Sequence, residues 1–223
     1  RDAQESRGLG DVYKRQAFGN SLLISIICAL IAGTFGILVG YGVAKKRGSR
    51  LANYVSNLAF LPYLIPAMSF ATIYLIMSYT KTLSFLNGSL LLLIVVGSIK
   101  FLPFASKSGT NAMLQLSNEI EEAAIIVGVP WWKRMVRVLF PIQKSSFISG
   151  YLLPFVSCMR ELTLFVLLTG SSTILTAVLQ NYEKYDCVQI SNGINLIIIV
   201  SVLVINLVVN KLTGASIDKG VGG

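Results

Sequence analysis

The sequence predicts an all-α integral membrane protein with five transmembrane helices and a cytoplasmic helix-turn-helix between the third and fourth. Three observations carry that expectation. Of 223 residues, 54% are hydrophobic and only 13% charged, and the mean hydropathy of +0.70 lies outside the range of ordinary soluble domains. The apolar residues gather in blocks of membrane-crossing length, about 20 residues each. Lysine and arginine collect in alternate connections between the blocks, as the positive-inside rule requires. The net charge of +9 is therefore read as a topology signal beside apolar blocks, and nucleic acid is not expected as a partner.

The first sixteen residues, RDAQESRGLGDVYKRQ, have no apolar core and do not read as a signal peptide. They are set apart as a leader, non-native or truncated, with a short native outer tail as the alternative. The first span runs from about Ala17 to Ala44. Within it Ala32, Gly36, Gly40 and Ala44 recur every four residues and form a stripe of small side chains suited to close helix pairing. The second span, about Leu51 to Met77, contains Pro62 and Pro66, which would each remove a backbone hydrogen bond and bend the helix near its inner end. The third runs from about Leu86 to Phe104, the fourth from about Ser146 to Thr169 and the fifth from about Ile194 to Asn210.

With the second and fourth spans running outward, Lys45, Lys46, Arg47, Arg50, Lys100, Lys107, Lys133, Arg134, Arg137, Lys144, Lys211 and Lys219 fall inside. Lys81 and Lys184 fall outside. The amino terminus is then outside, and the carboxyl-terminal tail, 213–223, is cytoplasmic. The outer connection from Ser171 to Ser191 is expected to form a short helix plus turns. Cys28 and Cys158 lie inside apolar runs, and the three cysteines show neither a disulfide framework nor metal-binding spacing.

The stretch EEAAIIVGVPWWKRMVRVLFP, Glu121 to Pro141, breaks the apolar pattern. Asn118 reads as an N-cap with Glu121 three residues on, and the acidic cluster suits a helix N-terminus. Ile120, Ala123, Ala124 and Val127 share one apolar face. Gly128 suits the helix end, and Pro130 introduces a second helix from Trp131 to Val138, before Pro141 opens the next span. Trp131 and Trp132 fit an interfacial position, with Lys133, Arg134 and Arg137 beside lipid phosphates or an acidic partner.

This stretch resembles the EAA loop of binding-protein-dependent ABC importer permeases, which reads E-A-A, three residues, G, nine residues, then I-x-L-P. Glu122, Ala123 and Ala124 are followed by three residues, Gly128, nine residues, then Val138, Leu139, Phe140 and Pro141. Val138 and Phe140 depart from the pattern and keep its apolar character. The resemblance covers roughly Ala17 to Leu212, with the loop at about 117–141, and implies a MetI-like permease fold in a bacterial inner membrane. It further implies that the loop seats in a groove on a separate ATP-hydrolysing subunit, with Glu122 as the acidic contact, Ala123 and Ala124 as the close-packing face and Gly128 as the turn.

No histidine and no GxxxxGK[ST] phosphate loop is present, so His-based catalysis and P-loop ATP binding by this chain are excluded. The resemblance places ATP and magnesium on the partner ATPase and none on this chain. It also implies a second permease half, fused or separate, and a periplasmic or lipoprotein solute-binding protein. Arg160 and Glu161 lie inside the fourth apolar segment, where a charge is costly and marks function by default. Two readings stay open for them, ion pairs between membrane halves or a polar lining of the solute path. The run MRELTLFVLLTG with LTAVLQNYEKYD resembles the carboxyl-terminal half of ferric iron permeases, while thiamine, polyamine and oxyanion permeases share much of it. A secondary transporter or channel, or a structural membrane protein, are the rivals from other classes.

Overall fold

The structure, a computed structural model, describes residues 2–169 and 174–215. The tail beyond residue 215 and residues 171–173 of the expected outer loop lie outside the described residues. Three helices are each long and apolar enough to cross a membrane: α1, whose apolar part spans Tyr13–Lys45, α4 (Leu90–Leu114) and α11 (Val188–Thr213). Two bent pairs are long and apolar enough only when taken together, α2 (Arg50–Leu64) with α3 (Ala67–Ser78) and α8 (Lys144–Met159) with α9 (Thr163–Thr169). Neither member of the first pair could cross alone, since 15 and 12 residues reach only about 22 and 18 Å against a hydrocarbon core of about 30 Å. Taking each pair as one span gives five.

α1 and α4 form the central contact, and the small-residue stripe makes it. Ala32 is fully buried, while a Cβ built on Gly36 would meet Ser106 N at 2.7 Å and one on Gly40 would meet Ser106 O and Thr110 N, each at 2.5 Å. These neighbours are backbone atoms and cannot rotate away. α4 answers with Gly109, whose own Cβ would press on Ile37. α8 closes the third side, where Ser108 Oγ donates to Ser146 O at 2.8 Å and Phe147 is fully buried. Gly40→Ala is expected to cost about 1–3 kcal/mol by overpacking, whereas Gly42→Ala should be near neutral because nothing lies within 4 Å of its Cβ. Unfolding titrations in mixed detergent micelles check the pair.

Several boundaries differ from the sequence reading. α1 runs without interruption from Asp2 to Lys45, through the leader and the first span. The second span breaks in its middle, at Ile65 and Pro66, with a bend of 97°. Pro62 stays inside α2, so Pro66 alone marks the break, and not at the inner end. α4 extends ten residues past Phe104 because Ser106 and Ser108 are buried against neighbouring helices. Lys100 and Lys107 therefore sit within a helix rather than in an inner loop. The fourth span stops at Met159 and bends by 59° across Arg160, Glu161 and Leu162. Part of the outer connection forms α10 (Leu175–Lys184), whose first turn is buried against α1, with Leu175 N donating to Ser21 Oγ at 2.8 Å. α11 begins already at Val188.

Candidate functional site

The polar helix pair begins with α5 (Asn118–Ile126). Its N-cap is Ser117, whose Oγ accepts from Glu119 N, and not Asn118. Asn118 instead accepts a hydrogen bond from Lys45 Nζ at 3.1 Å. Glu121, expected to turn back on the cap, points the other way for a physical reason: a carboxylate finds two cations and a phenol there. Lys45 Nζ lies 2.6 Å from Glu121 Oε2, Arg134 Nε lies 3.7 Å from Oε1, and Tyr41 OH donates to Oε1 at 2.6 Å. The Glu121 side chain is only 5% exposed. Burial alone would push its carboxyl up, but hydrogen bonds from Lys45 and Tyr41 and the charges of Lys45 and Arg134 outweigh burial and hold it below the usual carboxylate value.

This cluster ties the pair to the end of α1, and it was missed in the sequence. Lys45 reads there as one topology charge among many, and Tyr41 as part of the span. Arg134, taken as a lipid or partner contact, also donates through its guanidinium to Val129 O at 2.9 Å. Trp131 packs inward on Tyr41, with ring centroids 5.9 Å apart, while Trp132 stays 69% exposed.

With Glu121 anchored, the opposite side of α5 is open. Glu122 and Ala123 are exposed, Ala124 is half-buried, and Ile126 and Val127 are 85% and 79% exposed. Gly128, at φ +78°, ends the helix in the left-handed conformation. Its N–H reaches Ile125 O at 2.8 Å and Val129 N–H reaches Ala124 O at 3.0 Å, a paired closure that glycine accommodates without Cβ strain. The second half is α6 (Trp131–Arg134), a π-helical turn Met135–Leu139 and a short α7 (Phe140–Ile142) that carries Pro141, exposed, toward α8. Glu122, Ala123, Ala124 and Gly128 thus share one exposed tip, and Pro141 stands beyond the second helix.

Arg160 and Glu161 belong to a different region. They occupy the break between α8 and α9, where Glu161 Oε1 accepts from Leu164 N at 3.0 Å and so caps α9. Arg160 is exposed. Glu161 lines a cavity of about 480 Å³ together with Tyr63, Ile65, Lys100 and Ser157. Lys100 reaches across it to the α2–α3 break and donates to Pro62 O at 2.8 Å and Ile65 O at 2.6 Å. Pro66 has no N–H to give the carbonyl of Pro62, four residues earlier, and Lys100 supplies the missing donor. Its ammonium also lies 5.2 Å from the centroid of the Phe70 ring.

The family described as "Binding-protein-dependent transport system inner membrane component" matches residues 18–218. The chain is 26% identical over 214 residues to a probable sulfate transport system permease protein of Prototheca wickerhamii, covering 86% of this chain and 80% of that one. It is 22% identical to a ferric transport system permease protein of Actinobacillus pleuropneumoniae across 87% of this chain, and there it spans only 28% of the relative's length. A 24% identical molybdate/tungstate transport system permease protein of Thermococcus kodakarensis matches over 79% of this chain and 70% of its own. Among solved structures, a chain of the MetNI methionine ABC transporter in inward-facing conformation superposes with a TM-score of 0.69 at 16% identity, over 89% of this chain and 93% of that one. The likeness is one of fold, and it matches the permease architecture expected from the residues.

Proposed function

The chain belongs to the family of binding-protein-dependent transport system inner membrane components, and from that premise we propose that it forms half of the solute path of an ATP-driven importer. The observation that carries this reading is the α5 tip, held rigidly from behind by Glu121 and apolar and open in front at Ile126 and Val127. An exposed apolar tip flanked by Glu122 suits a groove on a separate ATPase. ATP and magnesium belong to that partner, and this chain binds no cofactor of its own. A second permease half and a solute-binding protein complete the assembly.

The placement in a bacterial inner membrane with the amino terminus outside draws support from two contacts. Lys45 at the end of α1 meets Glu121 on α5, and Ser145 at the start of α8 donates to Gly214 O at the end of α11. The basic ends of α1, α8 and α11 therefore gather with the polar pair, which suits a cytoplasmic side. The solute is a small inorganic ion. Ferric iron, put forward from the run after Met159, is one candidate, and the named solutes of the relatives add sulfate, phosphate and molybdate or tungstate.

The test is co-purification with the candidate ATPase after co-expression with the second half. Ile126→Asp buries a carboxylate if the tip docks, and should weaken retention about tenfold or more, since an unpaired buried charge costs several kcal/mol. Glu122→Lys should weaken it further. Undiminished retention in both variants, or solute uptake with no ATPase at all, would overturn the reading.

A further inference from the structure

A second cavity, of about 330 Å³, opens between α2 and α4, bordered by the Ser106 and Thr110 positions that also pack on α1. It is lined by Ser56 and Asn57 of α2 and by Ser106, Lys107, Thr110 and Asn111 of α4, with Phe60 and Pro103 at its apolar edge. No carboxylate contributes to this lining. We propose that this cavity is a binding subsite for a small oxyanion, with Lys107 as its cation and the amides of Asn57 and Asn111 as orienting donors.

Lys107 lies within a membrane helix, where a lysine is costly and is kept for a partner or a pathway. Among the described residues, the side chains of Lys107, Asn57 and Asn111 make no hydrogen bond or ion pair, whereas Thr110 is satisfied by Ser106 O at 2.9 Å. Lys107 and Asn57 are exposed and Asn111 half-buried, and all three border the same space. A cavity near the lower end of the usual range for small-ligand sites suits a small anion with some of its water. Bidentate or charge-assisted contacts to phosphate- or sulfate-like oxygens are what an ammonium and two amides offer. A bare multivalent cation would meet the Lys107 ammonium with no carboxylate to offset it, so the lining disfavours it.

The Lys100 cavity lies farther along α4 and shares no lining residue with this one. Lys100 and Lys107 are seven residues apart on one face of α4, about 10.5 Å along the axis. Phe60 edges this cavity while Tyr63 and Phe104 line the other, with the Tyr63 ring centroid 5.1 Å from that of Phe60 and 5.7 Å from that of Phe104. Lys100 already donates to two carbonyls and Glu161 lines its cavity, so the oxyanion assignment is confined to the Lys107 side. The assignment rests on the reading of the chain as half of an importer, and it narrows the solute within that reading to oxyanions. The same chemistry fits a lipid phosphate entering from the inner leaflet.

The experiment uses the assembled complex in nanodiscs of phosphatidylcholine alone, following its thermal midpoint on titration with sulfate, phosphate or molybdate against chloride at matched ionic strength. Wild type and Lys107→Arg are expected to respond to at least one oxyanion. Lys107→Met and Asn57→Leu are expected to need about tenfold more of it or more, because a hydrogen bond to a charged group is lost. A Lys107-dependent response only when phosphatidylglycerol is added, with none to free oxyanions, supports the phosphate site and assigns it to lipid. Equal responses in wild type and Lys107→Met, or none to any probe in either membrane, overturn it. Failure of the importer reading would show separately, as no ATP-dependent uptake of any solute by the wild type, and leaves the binding titration readable.

Discussion

Lys100→Met should insert into the membrane as well as the wild type and yet lose most of its coupled activity. Two effects of opposite sign act on different steps. A lysine at the centre of a membrane helix costs about 2.5–3.5 kcal/mol on insertion scales, and Lys100 sits about 15 Å from one end of α4 and about 21 Å from the other. Methionine removes that cost. It also strips the donors from the part-buried Pro62 O and Ile65 O, and an unsatisfied carbonyl out of water costs on the order of 1–3 kcal/mol, with more in hydrocarbon. Pro66 cannot replace the lost donor, so α2 and α3 must move to find water or another partner.

The expected result is normal membrane abundance, a changed α2–α3 angle, and a fall of about tenfold or more in binding-protein-stimulated ATP hydrolysis, tenfold corresponding to 1.4 kcal/mol. Spin labels at the exposed positions Tyr54 and Ile76, one on each side of the break, read the angle. Lys100→Arg should retain part of the activity, since its planar fork can reach two carbonyls. An unchanged label distance with unchanged hydrolysis would show that the bend stands without Lys100.

The parts of this architecture legible in the sequence are those set by short-range rules. Spans follow from apolar length, and the stripe Ala32, Gly36, Gly40 and Ala44 gives a face because helical spacing alone aligns its members. Gly128 is readable because a helix end in the left-handed region selects glycine. What was not legible depends on contacts across the chain. Glu121 and Lys45 are 76 residues apart, Lys100 and Pro62 are 38, and nothing in the local pattern distinguishes these lysines from topology charges. The helix break at Arg160 and Glu161 was hidden for a similar reason. A charged pair in an apolar run looks like two misplaced side chains on a helix, whereas irregular backbone is tolerated at that depth where it lines a cavity. Pro66 was visible as a disruption, but only the position of Lys100 fixes where its freed carbonyl is satisfied.

The Glu121 cluster leads to the second large effect, because it is the charged joint in the described structure between the exposed tip and the bundle. The proposed docking surface, Glu122, Ile126 and Val127, is exposed and makes no use of the Glu121 carboxylate. Glu121→Gln should therefore keep the ATPase bound while loosening the tip from α1. Breaking one partner of a buried pair costs about 3–5 kcal/mol. Lys45 is 28% exposed and Arg134 15%, so solvent recovers part of that, and about 2–3 kcal/mol is expected. The measurable consequence is near-normal co-purification with transport-linked hydrolysis reduced about tenfold or more. Loss of both together would make the cluster a folding element only.

The pH dependence has a definite sign. The carboxyl of Glu121 titrates lower in the folded protein than in the unfolded chain, where a glutamate has a pKa of about 4.3. Its stabilising contribution is therefore complete above that value and is lost as pH falls through the lower, folded one. Coupling in the wild type should be flat in this respect from about pH 5 to 8, and should fail through this group only under more acidic conditions. Glu121→Gln, which cannot ionise, should show its defect unchanged across that same window. A defect in the variant that disappeared on moving from pH 8 to pH 5 would mean that the charge on Glu121 is not what joins α5 to α1.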